Sequence, residues 1–143
     1  MRVRTRPGTI AACAVAMAGL TVVTATPASA AALNVPVYGT SGYLLGRGYF
    51  HPGLPGSIEA YDAYCDGDNG VIAALYVIRD GQWTRSALAS VRGCGSTNRN
   101  SLDDNSPRPG YDEYVRLRVC KLLPDGTWKD CKDHFTYNSD RVT

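Results

Sequence analysis

The chain has 143 residues, 15 Lys and Arg against 13 Asp and Glu, and 20% charged side chains in all. That length supports one hydrophobic core and excludes a multidomain assembly. A net charge of +2, spread along the chain, lacks the clustered positive field of a nucleic-acid-binding surface.

Arg2, Arg4 and Arg6 precede an uncharged apolar run over 10–23, and Ala28-Ser29-Ala30 gives the small-x-small pattern cut by signal peptidase. Residues 1–30 therefore read as a secretion signal that is removed, leaving a secreted domain over 31–143. The run is too short and too rich in Ala, Gly and Thr to span a bilayer, which needs about 20 strongly apolar residues. No membrane attachment is expected after cleavage. Three arginines leave with the signal, so 12 Lys and Arg face 13 Asp and Glu and the net charge becomes −1. The excess of basic residues belongs to the export signal, and no nucleic-acid partner is expected.

Cys13 is lost as well, and Cys65, Cys94, Cys120 and Cys131 remain. An even number of cysteines in an oxidising compartment points to two disulfides, with three pairings available. No C-x-x-C spacing occurs and His51 and His134 are far apart in sequence, which argues against zinc.

The pattern predicts an all-β domain, because apolar alternation and turn residues recur at short intervals with no stretch at helical period. Residues 34–38, 43–50 and 57–65 are the first three strands, with the corner His51-Pro52-Gly53-Leu54-Pro55-Gly56 before the third. Asp66-Gly67-Asp68-Asn69-Gly70 breaks the chain before 71–78, a continuous apolar run suited to a strand covered on both faces. Asp80-Gly81 turns it back into 82–91. A plain two-residue turn sets Ile78 opposite Trp83 and Ala74 opposite Ala87, with Trp83, Ala87, Ala89 and Val91 on a buried face. Residues 95–110 are almost free of apolar side chains and are expected to be a functional or, preferably, a mobile loop.

Residues 111–122 and 127–137 form the clearest hairpin, with Val115, Leu117 and Val119 alternating with Arg116 and Arg118. A glycine-bulge turn over Pro124-Asp125-Gly126 sets Cys120 beside Asp130 and Arg118 beside Lys132. A two-residue turn at Asp125-Gly126 instead sets Cys120 opposite Cys131, Arg118 opposite Asp133, Arg116 opposite Phe135 and Tyr114 opposite Tyr137. That register yields a bridge, an ion pair, a cation–π contact and an aromatic pair, and it is the one expected. It leaves Lys132 and His134 on the inner face. Cys65–Cys94 follows by elimination. The short likenesses Asp80-Gly81-Gln82-Trp83 to Asp125-Gly126-Thr127-Trp128 reflect two similar hairpins rather than a duplicated domain.

Candidate chemistry is sparse. Asp66 to Gly70 resembles the start of a calcium loop, but Gly70 and Val77 stand where ligands are needed, so a tight turn is expected and no metal. His51, His134, Glu59, Glu113 and the arginines are residue types of a ribonuclease site, yet no spacing brings them together. No G-x-S-x-G exists. Gly46-Arg47-Gly48 lacks the rest of a phosphate loop and reads as two close-approach positions or a bulge. No cofactor is expected. Nine tyrosines and two tryptophans permit a binding surface, although both residue types are also good strand formers.

The layout Tyr61-Asp62-Ala63-Tyr64-Cys65-Asp66-Gly67-Asp68-Asn69-Gly70-Val71-Ile72-Ala73, then Val115-Arg116-Leu117-Arg118-Val119-Cys120 and Cys131, resembles a group of small exported actinobacterial proteins of unknown function. The resemblance covers about 48–135. Where that group has serine and tryptophan after the last cysteine, this chain has Lys132, Asp133 and His134, and Cys65 and Cys94 look like additions. The resemblance implies a disulfide-closed extracellular β sandwich and no particular activity.

These observations together predict one antiparallel sandwich of about seven strands, immunoglobulin-like in architecture. The expected function is non-catalytic surface binding to an extracellular protein or polysaccharide, with Tyr114, Arg116, Arg118 and Phe135 as the binding surface. One form is an inhibitor of an extracellular hydrolase with 95–110 as its bait loop. The alternative is a secreted nuclease or other hydrolase using His51 or His134. A cleft holding either histidine with Arg and Glu speaks for the enzyme, and an ordered, protruding 95–110 segment for the inhibitor.

Overall fold

Short runs of β-branched, aromatic and small apolar residues, punctuated by Gly, Pro, Asp and Asn, favour strands joined by tight turns. The computed structural model describes residues 32–103 and 107–139, and all regular structure within them is strand. The expected signal segment, with Cys13, lies outside the described residues. The strands are β1 (Leu33–Tyr38), β2 (Leu44–His51), β3 (Ser57–Asp62), β4 (Gly70–Arg79), β5 (Gln82–Arg92), β6 (Thr97–Ser101), β7 (Tyr114–Leu122) and β8 (Trp128–Tyr137). They form two antiparallel sheets, β1-β2-β3-β6 and β5-β4-β7-β8.

The sheets pack face to face as a sandwich. Val35, Val37, Phe50, Ile58 and Ala60 from the first meet Val71, Ala73, Leu75, Val77, Ala87, Ala89, Val115, Leu117 and Val119 from the second. Gly46 and Gly48 also face this core. A Cβ on Gly46 would land on Val71 Cγ2, and one on Gly48 on Val119 Cγ2. Both are close-approach positions, where only glycine lets the sheets meet.

The expected seven strands become eight. Thr97–Ser101, inside the segment taken as a loop, is β6 and pairs with β3 from Tyr61↔Thr97 to Ser57↔Ser101. Asn98 and Asn100 lie opposite Ala60 and Ile58. Their side-chain amides donate to Ser90 O at 2.8 Å and Leu88 O at 2.9 Å, carbonyls of β5 in the other sheet. A strand without apolar residues is held because its polar groups are satisfied across the sandwich. The first sheet is thus a β1-β2-β3 meander closed by β6, where an immunoglobulin domain orders that sheet A-B-E-D.

Two bulges correct the hairpin registers. Asp80 and Gly81, both at positive φ, make the two-residue turn, and Ile78 faces Trp83 as expected. The register then shifts between Leu75 and Tyr76, so that Ala74 faces Leu88 and not Ala87. The extra residue reverses the side-chain parity, leaving Ala87, Ala89 and Val91 inward and turning Trp83 out.

In the β7–β8 hairpin the loop is Pro124-Asp125-Gly126. Gly126 N–H donates to Leu123 O, Leu123 N–H donates to Thr127 O, and Leu122 faces Trp128. The two-residue turn is therefore not used. A shift between Val119 and Lys121, with Asp130 at φ 52°, restores the expected pairs: Arg118↔Asp133, Arg116↔Phe135 and Tyr114↔Tyr137. Both candidate registers occur, one at each end of the hairpin.

Both disulfides are present. Cys120–Cys131 spans that hairpin with Cα atoms 4.1 Å apart, and Cys65–Cys94 joins the flanks of the β4–β5 hairpin at 4.6 Å. Val71 faces Val91, where the plain two-residue turn alone would set it opposite Ser90. Beside the second bridge the buried Asp62 accepts N–H bonds from Tyr64 and Gly93, and burial raises its pKa against those bonds. At the other end, buried Asn138 accepts from Gly53 N–H at 3.0 Å and donates to Gly110 O at 2.9 Å, tying β8 to both long connections.

Candidate functional site

The outer face of the β5-β4-β7-β8 sheet collects side chains that the alternation of its four strands sends to the same side: Tyr76 from β4, Trp83 from β5, Tyr114 and Arg116 from β7, and Phe135 and Tyr137 from β8. Trp83 lies 5.8 Å from Phe135 and 6.3 Å from Tyr114, centroid to centroid. Tyr114 stacks with Phe135 at 5.9 Å and 13°, and meets Tyr137 at 5.1 Å. Tyr114, Phe135 and Tyr137 remain 40%, 45% and 55% exposed. These rings form one continuous stripe across the sheet.

Arg116 sits at the centre, its Cζ 4.4 Å from the Tyr76 ring and 4.9 Å from the Trp83 ring. The expected cation–π contact exists, but its rings are Tyr76 and Trp83 rather than Phe135. Arg118 is committed elsewhere: its Nε and Nη2 donate to Asp133 Oδ1 and Oδ2, each at 2.7 Å. That guanidinium holds the Asp133 carboxyl below the usual carboxylate range, with partial burial opposing. Further along the face, Ile72, Leu88, Leu122 and Trp128 pack around buried Cys120, so the disulfide anchors the far end.

All four residues expected at a binding surface, Tyr114, Arg116, Arg118 and Phe135, therefore lie on one face. Tyr76 and Trp83 were not expected there. Trp83 was assigned to the core because the bulge in β5 reverses its side. Ile78, which pairs with Trp83, is exposed on the same face, but no residue in the sequence marks the bulge that brings this about.

The candidate catalytic residues separate. Among the described residues no hydrogen bond or ion pair joins His51 to His134, on β8 opposite Leu117, or to Glu113, which pairs with Arg79 through both carboxylate oxygens. His51 does meet Glu59, with Nε2 3.8 Å from Oε2, on the outer face of the first sheet. Arg99, opposite Glu59 on β6, donates through Nε to Ser57 Oγ at 2.9 Å and borders an open groove of about 390 Å³ with Pro55, Gly56, Ser57 and Ser101. Burial lowers the His51 pKa, Arg99 lowers it further and Glu59 opposes. Its Nε2 is covered and makes no hydrogen bond among the described residues.

In the calcium-like segment, Asp66 takes Lys121 Nζ at 2.9 Å and its carbonyl accepts from Asn69 Nδ2 at 3.2 Å. Among the described residues no three His, Cys, Asp or Glu side chains converge on a point, and no helix is long and apolar enough to cross a membrane. Two disulfides are consistent with an extracellular protein. No family model, curated protein or solved structure matches the chain.

Proposed function

We propose that this is a secreted, non-catalytic protein that binds an extracellular polysaccharide on the aromatic face of its second sheet. The observation behind it is the stripe formed by Trp83, Tyr114, Phe135 and Tyr137 around Arg116. Exposed apolar stripes rimmed by polar residues mark interaction sites, and flat rings suit the apolar faces of sugar rings. Size favours a narrow ligand over a folded partner. At the exposures of Tyr114, Phe135 and Tyr137, three aromatic side chains of roughly 200 Å² offer about 300 Å². A standard protein interface takes about 800 Å² from each partner. The two disulfides and the expected export signal support an extracellular setting.

Within the 95–110 segment of the inhibitor form, 97–101 pairs as β6 and does not form a loop. A second reading, a hydrolase, has one observation in its favour: His51, Glu59 and Arg99 share a surface beside a groove. Against it stands the covered Nε2 of His51, since a general acid or base must reach its substrate.

The test is affinity electrophoresis of the purified protein against soluble polysaccharides. Tyr114→Ala with Phe135→Ala should abolish retardation while the melting temperature and both disulfides persist. Retardation that survives the double change removes this face from the function. Cleavage of RNA or a peptide, lost in His51→Ala, would establish the hydrolase instead.

A further inference from the structure

Arg116 carries an unused recognition capacity. Its Nε is covered and has no hydrogen-bond partner among the described residues, so a ligand would meet the terminal Nη groups, and the guanidinium is held by ring faces, which accept no conventional N–H bond. The nearby carboxylate is already taken, since both oxygens of Asp133 accept from Arg118. A guanidinium packed against two rings is restrained before a ligand arrives, and its terminal Nη edge matches a carboxylate through two parallel N–H bonds. The exposed rings of Tyr114, Phe135 and Tyr137 flank this position.

We infer that the ligand is an acidic polysaccharide whose sugar carboxylate, as in a uronic acid, docks on Arg116 while neighbouring sugars lie on the aromatic stripe. This rests on the polysaccharide reading above and narrows it to a charge class. A densely sulfated polymer calls for a cluster of cations. Here Arg118 is neutralised by Asp133, so among the described residues of the stripe Arg116 is the cation without a carboxylate partner.

Polygalacturonate and its methyl ester separate the two levels, because they differ in charge and share a backbone; hydroxyethylcellulose and dextran sulfate complete the set. The purified protein should bind polygalacturonate at least ten-fold more tightly than its methyl ester, and added salt should shrink the difference. Arg116→Gln should bring the two polymers to equal affinity. Arg116→Lys should recover only a minor part, since an ammonium keeps the charge but not the fork. Asp133→Asn, which frees Arg118, should strengthen polygalacturonate binding and provides a readout even if Arg116 variants fold poorly. Equal affinity of the wild type for acid and ester overturns the carboxylate assignment and leaves the aromatic face standing. Preference for dextran sulfate overturns it in favour of sulfate. Failure to bind any of the four removes the polysaccharide reading together with this one.

Discussion

Arg118 grips Asp133 across the β7–β8 pair with two hydrogen bonds of 2.7 Å, on the face that also carries the aromatic stripe. Glu113 is held similarly by Arg79: burial pushes its pKa up, but the guanidinium and the Gly110 N–H outweigh it and the net shift is downward. Both carboxyls thus titrate lower in the folded chain than in the unfolded one. Their stabilisation is fully present above the ordinary carboxylate pKa of about 4 and is lost as pH falls through the lower folded values. Asp133→Asn should cost about 0.5–1 kcal/mol at pH 7 and little at pH 2. Urea unfolding at the two pH values checks this, and an equal cost at both would refute it.

His51 should titrate below the usual histidine value of about 6.5 when followed by NMR. Burial is the largest cause, with Arg99 next and Glu59 opposing. Arg99→Gln should therefore raise the His51 pKa, and Glu59→Gln should lower it further. The depressed folded value means that this histidine's contribution to stability is complete above about 6.5 and declines as pH falls toward the folded pKa. Insensitivity to both substitutions would separate the three groups.

Gly48→Ala should destabilise the domain by about 1–3 kcal/mol, the usual cost of overpacking a filled core. Its Cβ would meet Val119 Cγ2, with Ala73 Cβ close behind. Combining it with Val119→Ala should recover part of the loss. Thermal melts of the two single variants and the double variant give the coupling.

The two disulfides should differ toward a mild reductant under native conditions. Cys65 and Cys94 are both exposed, whereas the other bridge joins an exposed Cys131 to a Cys120 that is fully buried beneath Trp128 and its neighbours. Alkylation followed by peptide mapping should find Cys65 and Cys94 labelled first, because both of their residues are open to the reductant and only one of the other pair is. Replacing Cys120 and Cys131 together with Ala should lower stability by about 3 kcal/mol, by releasing a loop with a sequence separation of 11. Simultaneous labelling of all four cysteines would contradict the ordering.

Legibility followed the periodicity of each segment. Val115, Leu117 and Val119 against Arg116 and Arg118 announce a strand with one wet face, and Tyr114↔Tyr137 and Arg118↔Asp133 follow from it. The bulges leave no such mark. A single extra residue at Ser86 or Asp130 is compositionally silent, yet it decides that Trp83 joins the outer stripe and that the Pro124-Asp125-Gly126 turn still leads to the expected pairs. Strand β6 escaped for another reason. Its stability lies in amide bonds from Asn98 and Asn100 to a strand of the opposite sheet, and such cross-sheet bonds have no local sequence signature. The meeting of His51, Glu59 and Arg99 depends on β6 in turn, so it has no local sequence signature either.

Lys132 and His134 stand opposite Val119 and Leu117, on the side of β8 that faces inward, yet both remain exposed at the margin of the sheet. Polar, charge-bearing side chains in that position obstruct the approach of a further strand, one of the ways proteins keep an open sheet border from templating its neighbours. A second copy of the chain, or an extended peptide, is thereby discouraged from lengthening the sheet. An edge guarded in this way keeps molecules at high local concentration from zipping into fibres.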